Sequence, residues 1–410
     1  MFFIYKILIN IVFFFSPFII LIRIIKRKEN IKRFVEKFGF FTKKRAAGKL
    51  IWFHGASVGE IQSIIPLIER LEKDKKINQI LITSNTLSSS LIIDKLNLRK
   101  TTHQFFPIDC NFISFKFLNY WKPSKAFFVD SEIWPNTINN LSNRKIPIIL
   151  LNGRITKKTF NRWIKFSNFS KFIFSKFNFC LSASEESKRF LKKLGANKVK
   201  FFGNLKFSQS ENQSVRIDKN LERSLLKRNS WCASSTHYNE ERFCGLIHLE
   251  LKKKYKNLIT IIIPRHVDRV DQIKSDLNKL NLIVHLDHPK KKIKPNTDIY
   301  LINSYGKTKS IFKICKNVFL GGSLINHGGQ NPLEAARYGC RIFHGPYIAN
   351  FKEIYGHLEK KNISNKVTNQ NHLTNLLQKK LDQKNFSKKS MKNLRLEGIK
   401  ILNKIFNEIC

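Results

Sequence analysis

The stretch Leu50-Ile51-Trp52-Phe53-His54-Gly55-Ala56-Ser57-Val58-Gly59-Glu60 changes its hydrophobic period midway, and that change sets the fold class. Leu50–His54 is a short apolar and aromatic run, as a strand buried on both faces requires. After the small residues 55–59, apolar positions recur at Ile61, Ile64, Ile65, Ile68 and Leu71, the spacing of a helix with one buried face. A strand feeding a helix through a tight polar loop is the unit of a parallel α/β sheet.

The same alternation extends along the chain. A first series of strands is expected at Leu50–His54, Ile80–Thr83, Gln104–Phe106, Ala126–Val129, Ile148–Leu151, Phe179–Ser182 and Val199–Phe202. A second is expected at Trp231–Ala233, Thr260–Pro264, Ile283–Leu286, Ile299–Ile302, Asn317–Leu320 and Arg341–Phe343. The reading is two doubly wound, Rossmann-like α/β domains facing a central cleft. Residues 1–28 form an N-terminal anchor and basic flank, 29–207 the first domain, 208–229 a polar, glycine-free linker, 230–370 the second domain, and 371–410 Lys-rich C-terminal helices. The 410 residues suit this division, since domains usually span roughly 100–200 residues.

Lys and Arg number 75 against 29 Asp and Glu, a formal charge of +46. With 42% hydrophobic and 12% aromatic residues, this is a folded basic chain rather than a disordered one, and acidic partners are expected. Lys, Asn, Ile and Phe share A/T-rich codons, so part of the Lys excess reflects composition. The seven cysteines are scattered and include no C-x-x-C pair, which fits neither a disulfide scaffold nor a zinc knuckle and points to a reducing compartment.

Residues 1–25 are almost wholly apolar, interrupted by Lys6 and Asn10 and closed by Arg23, Lys26, Arg27 and Lys28. A helix needs about 20 apolar residues to cross a bilayer, so the run can span or lie in the interface. The basic flank and the lack of a small-residue cleavage site argue against a removed signal, and the positive-inside rule places the rest of the chain in the cytoplasm.

Ligands of open α/β sheets bind at the carboxyl ends of strands. At the first such loop, Ser57 and Glu60 have the spacing of a capping box, and Glu60 is equally placed to act as a general base. A helix N-terminus is expected to keep Glu60 ionised, making it the weaker base. Asp130-Ser131-Glu132 follows the strand Ala126–Val129; a D-x-E triplet could hold a divalent metal, but basic residues and helix starts elsewhere serve phosphate, and no metal or other cofactor is expected. Gly321-Gly322-Ser323 and His327-Gly328-Gly329-Gln330-Asn331-Pro332-Leu333-Glu334 allow close backbone approach to a nucleotide, with Asn331 as N-cap, Pro332 at the first helical position and Glu334 two residues further on. Ser234-Ser235-Thr236-His237, Pro264-Arg265-His266 and Gly203-Asn204-Leu205-Lys206 add hydroxyl and cationic groups at strand ends.

Together, H-G-A-S-V-G-E (54–60), V-D-S-E-I-W-P (129–135), L-N-G-R (151–154), G-N-L-K-F (203–207), A-S-S-T-H (233–237), I-P-R-H (263–266), G-G-S (321–323) and G-G-Q-N-P-L-E (328–334) resemble the Kdo transferases. These glycosyltransferases move 3-deoxy-D-manno-oct-2-ulosonic acid (Kdo) from CMP-Kdo onto a lipid A precursor. The resemblance implies a GT-B fold with an acceptor-binding first domain and a CMP-Kdo-binding second domain, inversion at the anomeric carbon, and an inner-membrane location with the catalytic domains on the cytoplasmic side, near anionic lipids. It implies Glu60 as general base, with Ser57, Gly59 and Arg154 toward the acceptor. Ser234, Ser235, Thr236, Arg265, Gly322, Ser323, Gly328, Gly329, Asn331 and Glu334 would face the donor, Glu334 on the cytidine ribose. Arg265, Lys206 and the N–H groups near Gly322, Ser323 and Asn331 would meet charge developing on the CMP phosphate. Glu132 is expected to orient Glu60, Lys206 or the acceptor.

Two departures from the family pattern stand out. Asp130 occupies a position usually held by Glu, and Asn303-Ser304-Tyr305-Gly306-Lys307 replaces an acidic D-T-x-G-E-L segment. Two other readings compete: a GT-B transferase with another nucleotide sugar, and nucleic-acid binding through the basic, aromatic stretch 157–174. That stretch also reads as an amphipathic helix covering the first domain, and with the apolar N-terminus it leaves no nucleic-acid partner expected.

Overall fold

The computed structural model describes residues 1–96, 98–209, 219–288, 292–382 and 387–409. The chain packs as two compact units, Met1–Gln209 with Glu397–Cys410, and Ser210–Leu396.

In the first unit the strands are β1 (Leu50–His54), β2 (Gln79–Ser84), β3 (Thr101–Phe105), β4 (Lys125–Val129), β5 (Ile148–Gly153), β6 (Phe179–Ser182) and β7 (Val199–Lys200). All pairings are parallel, in the order β3-β2-β1-β4-β5-β6-β7. The helices are α1 (Phe2–Ile25), α2 (Val58–Leu71), α3 (Leu87–Asp94), α4 (Asn111–Trp121), α5 (Pro135–Asn143), α6 (Lys157–Ile164), α7 (Ser167–Phe174) and α8 (Glu185–Lys193). Strand order reverses between β1 and β4, so the loops leaving those two strands flank the switch point at which such sheets bind ligands. Trp52, Phe117, Trp121, Phe128 and Phe174 fill the core, each large aromatic contributing about 2–3 kcal/mol by leaving water. The stretch 157–174 forms the two helices α6 and α7, and Phe160, Trp163 and Phe169 pack on that core.

In the second unit the strands are β8 (Ser230–Thr236), β9 (Ile259–Pro264), β10 (Val284–Leu286), β11 (Ile299–Leu301), β12 (Asn317–Leu320), β13 (Arg341–His344) and β14 (Ser364–Lys366), in the order β10-β11-β9-β8-β12-β13-β14. The helices are α9 (Lys219–Leu226), α10 (Glu240–Lys254), α11 (Val270–Asn278), α12 (Thr308–Ile314), α13 (Leu333–Arg337), α14 (Lys352–Lys360), α15 (Gln370–Leu381) and α16 (Ser387–Ile409). The switch point lies between β8 and β12. Trp231, Tyr255, Phe319 and Phe343 anchor the core.

Sequence expectation and structure part at several edges. The seventh strand stops at Lys200 instead of Phe202, because Gly203 turns the chain with a φ of 111°. Of the expected linker 208–229, residues 210–218 lie outside the described residues, and Lys219–Leu226 is helical with Leu221 and Leu225 buried. The C-terminal helices expected at 371–410 are present as α15 and α16, but the end of α16 belongs to the first unit. A Cβ on Gly398 would lie 2.2 Å from the carbonyl oxygen of Phe207, and one on Gly203 would lie 2.6 Å from Ile401 Cδ1. Backbone therefore rests directly on backbone where α16 returns. Lys125 Nζ donates to the carbonyl of Ile409 at 2.6 Å and Lys200 pairs with Glu408 at 2.6 Å, fixing the helix end to the first sheet.

Candidate functional site

At the end of β1 the chain turns into α2 through a variant capping box, in which the Glu60 carboxylate takes the amide of Ala56 instead of that of the N-cap Ser57. The Glu60 amide donates to Ser57 Oγ at 3.4 Å, the Ser57 hydroxyl donates to Glu60 Oε1 at 2.9 Å, and the Ala56 amide donates to Oε2 at 2.7 Å. The capping reading of Ser57 and Glu60 is therefore the geometry observed. It leaves the basic role open, because burial, followed by the charges of Glu132 and Asp130, pushes the Glu60 carboxyl up to about 7 against the lowering pull of Ser57 and Ala56. The expectation that the helix start would leave Glu60 a weak base is thus overturned: desolvation and like charge outweigh the helix terminus. Gly59, beside it, is exposed, and a side chain there would meet nothing within 4 Å.

Glu132 and Asp130, at the end of β4, have separate partners. Glu132 Oε2 accepts from Trp134 Nε1 at 2.9 Å and lies 3.1 Å from His54 Nε2, while His54 Nδ1 lies 2.9 Å from Thr83 Oγ1. The His54 ring stacks on Phe106 with centroids 3.9 Å apart. Glu132 was expected to orient Glu60, Lys206 or the acceptor; its hydrogen bonds go to His54 and Trp134, and it reaches Glu60 through charge alone. Lys206 is instead held by Asp130, Nζ to Oδ2 at 2.6 Å. Asp130 Oδ1 accepts from Asn152 Nδ2 at 2.5 Å, and Asn152 Oδ1 accepts from the Leu205 amide at 2.9 Å. Asp130 and Asn152 both have left-handed backbone, φ 56° and 52°, which Asp and Asn tolerate better than most residues. The Arg154 amide donates to the Asp130 carbonyl at 3.0 Å, bringing that residue to the same strand ends.

In the second unit the expected donor residues gather around the β8–β12 switch point. The ladder shifts register between Ser234 and Thr236, and Ser235 between them has a φ of 58°. The hydroxyls of Ser234 and Thr236 and Nε2 of His237 are buried with no hydrogen-bond partner among the described residues. His237 sits 4.3 Å from His327 and 5.9 Å from His266, ring to ring; burial first, then those neighbours and Arg265, lower its pKa to about 4. Arg265 is exposed at the end of β9, where its amide donates to the Thr236 carbonyl at 2.9 Å.

The glycine loop and the helix after it differ from expectation. Glu240, at the start of α10, accepts from the amides of His237 (2.9 Å), Gly322 (2.7 Å), Ser323 (3.2 Å) and Leu324 (3.1 Å). The amides of Gly322 and Ser323, read as donors to phosphate, are thus directed at an internal carboxylate. Gly321 makes this possible, since a Cβ there would lie 2.6 Å from the Ser235 carbonyl and 2.7 Å from Glu240 Oε2. Gly328 and Gly329 have φ of 96° and 77°, and the Gly329 amide donates to the Gly322 carbonyl at 2.9 Å, tying the two glycine pairs together. The helix expected to start at Pro332 starts at Leu333 and has five residues, with Pro332 as N-cap and Asn331 Oδ1 accepting from the Leu333 amide at 3.1 Å. Glu334 pairs with Lys309 at 3.7 Å. Lys307, in the segment that departs from the family pattern, pairs with Asp287.

Among the described residues no three His, Cys, Asp or Glu side chains are grouped to hold a metal ion. Sequence reading missed Glu240, three of whose four amide partners lie more than 80 residues away, weighed Asp130 only as part of a metal-binding pair, and left Asn152 and His54 without roles although each falls within a noted motif.

Residues 32–209 match the family model described as 3-deoxy-D-manno-octulosonic-acid transferase (kdotransferase). A 3-deoxy-D-manno-octulosonic acid transferase of Rickettsia bellii is 30% identical over 94% of this chain and 92% of its own length. The enzyme of that name in Haemophilus influenzae is 28% identical over 79% and 77%. Among solved structures, the UDP-GlcNAc 2-epimerase of Neisseria meningitidis covers 88% of this chain and 99% of its own with a TM-score of 0.58 at 15% identity, a likeness of fold. Two doubly wound parallel sheets of GT-B type and a close relative matched over nearly its whole length lead to one conclusion: the chain belongs to the 3-deoxy-D-manno-octulosonic acid (Kdo) transferase family of glycosyltransferases.

Proposed function

We propose that the chain transfers Kdo from CMP-Kdo to a lipid A precursor by inverting displacement, with Glu60 as general base. The observation that carries this reading is the Glu60 carboxyl, fixed by Ala56 and Ser57 and tuned to about 7. A base with a pKa near the working pH combines a populated carboxylate with useful proton affinity. Glu60 takes the acceptor hydroxyl proton as that oxygen bonds to the Kdo anomeric carbon; the carbon–oxygen bond to phosphate breaks and its electron pair leaves with CMP. Ser57, Gly59 and Arg154 face the acceptor, and the open space over Gly59 supports that assignment.

On the donor side, the Ser234 and Thr236 hydroxyls, which have no hydrogen-bond partner among the described residues, and the exposed Arg265 bind the nucleotide phosphate and the Kdo carboxylate. Gly322, Ser323, Gly328, Gly329 and Asn331 shape the backbone wall, and Glu334 holds the ribose. Lys206, positioned by Asp130, adds positive charge to the departing phosphate, and Glu132 acts on Glu60 as a fixed neighbouring charge. Metal-independent transfer without a cofactor is part of this reading; the D-x-E pair is poorly placed to take a metal ion, since each of its carboxylates already has protein partners. The protein works at the cytoplasmic face of the inner membrane, held by α1 and attracted to anionic lipid.

The test is incubation with CMP-Kdo and lipid IVA, counting Kdo increments in the product mass. CMP release that depends on the acceptor supports the reading. Turnover with UDP-linked sugars but none with CMP-Kdo overturns it.

A further inference from the structure

The helix α1 has 24 residues, about 36 Å at 1.5 Å per residue, long and apolar enough to cross a bilayer. Its contacts argue for a different placement. Along one stripe, Phe2 packs on Phe169 and Phe172, and Tyr5 donates to Asp109 Oδ2 at 2.8 Å. The Ile9 carbonyl lies 3.5 Å from Cys110 Sγ, Phe13 packs on Phe38 and Phe112, Ser16 and Ile20 are buried, and Arg23 pairs with Glu29 at 2.6 Å. These positions follow one another at intervals of three and four residues from end to end, a single helical face laid on the first unit.

The opposite face is bare: Phe3, Phe14, Phe18 and Ile25 are each at least 65% exposed, and α1 carries no acidic residue. The surface continues beyond the helix. Phe112 and Phe115, one turn apart on α4, are both more than half exposed, Phe112 packs against Phe13, and Phe172 flanks Phe2. Cations sit over two of these rings, Arg144 over Phe115 at 4.5 Å and Lys176 over Phe172 at 4.3 Å, and Lys116 of α4 lies over the exposed Phe40 at 4.7 Å. Aromatic rings bordered by Lys and Arg match the zone where acyl chains meet anionic head groups.

We propose that α1 does not span the membrane but lies in its plane, its outer face and the Phe112–Phe115 ridge sunk into one leaflet of anionic lipid. This rests on the membrane reading above and specifies its geometry. An upright helix would strip Tyr5 from Asp109, a fully buried carboxylate that also accepts from the Asn136 and Thr137 amides at 2.9 and 2.8 Å, and would leave the face it covers open. A prone helix keeps every one of those bonds and still buries its exposed rings.

The test uses the full chain with vesicles of phosphatidylethanolamine and phosphatidylglycerol. Nitroxide labels at Phe3→Cys, Phe14→Cys and Ile25→Cys, each compared with the unsubstituted chain, report depth by electron paramagnetic resonance; the described native cysteines are buried. A prone helix gives three similar, shallow depths. Phe14 at the bilayer centre with Phe3 and Ile25 near opposite surfaces overturns the proposal while leaving membrane attachment intact. A chain that fails to float with the vesicles overturns attachment and proposal together, and a concentration-dependent dimer in that case assigns the apolar face to a second copy. Phe112→Ser combined with Phe115→Ser is expected to weaken flotation on the order of tenfold with the fold unchanged by circular dichroism; undiminished flotation removes the ridge from the docking face.

Discussion

The carboxylate of Glu240 lies 2.7 Å from the amide nitrogen of Gly322, 82 residues further along the chain. Two more amides of the same turn and that of His237 share it, so one buried side chain sets the shape of the loop leaving β12. In Glu240→Ala three buried N–H groups and the half-buried one of Leu324 lose their acceptor, at about 1–3 kcal/mol for each buried one left unsatisfied. Calorimetric titration is expected to show CMP affinity down at least tenfold. Glu240→Gln, which keeps one acceptor oxygen, should fall between; equal affinity in all three would assign the contact to stability alone.

Activity should follow the titration of Glu60. Its carboxyl is raised to about 7, so kcat/KM is expected to rise with pH through that value. The midpoint should move in opposite directions in two variants. Ser57→Ala removes a bond to the ionised form and raises it; Glu132→Gln removes a like charge and lowers it. Glu60→Gln should cost about 10²–10⁴ in rate.

Stability offers a second view of the same group. A carboxyl raised on folding costs stability as pH climbs past its unfolded value near 4.5, and the cost is complete above about 7. Glu60→Gln should therefore raise Tm at pH 8 and change it little at pH 4, by differential scanning fluorimetry. A lower Tm at pH 8 would count against the raised value.

Asp130 and Lys206, 76 residues apart and both largely buried, should behave as a coupled pair. Removing either partner leaves a buried charge and is expected to cost about 3–5 kcal/mol. Urea denaturation of Asp130→Ala, Lys206→Met and the double variant should show the double costing less than the sum of the singles. Additive losses would mean that the 2.6 Å contact carries no coupling.

Donor preference can be read without turnover. CMP at 100 times its Kd stabilises the folded state by about 2.7 kcal/mol and should raise Tm measurably, with UDP giving less. Arg265→Ala should remove much of the CMP shift, because that guanidinium is exposed at the end of β9.

Much of this was legible in sequence because buried parallel strands are written as local apolar runs. Leu50–His54 and Asn317–Leu320 fall where the sequence puts them. The strand Ser364–Lys366 was missed because its three residues are polar and pair only along the sheet edge with β13. The helix Lys219–Leu226 hid in a polar stretch in which only Leu221 and Leu225 mark a buried face. At the site, the capping box could be read from four consecutive residues, whereas the basicity of Glu60 depends on Asp130 and Glu132 arriving from another strand. Distance along the chain also concealed Glu240: nothing near it announces that its partners are Gly322, Ser323 and Leu324.

The seating of Gly398 on Phe207 makes the second unit, in topological terms, an insertion within the first. A fragment cut at Gln209 lacks the segment Glu397–Cys410 that completes its own packing, so its failure to fold would say nothing about independence from the second unit. The severable piece is the inserted one, and an isolated first unit is best obtained by splicing the chain after Gln209 directly to Glu397.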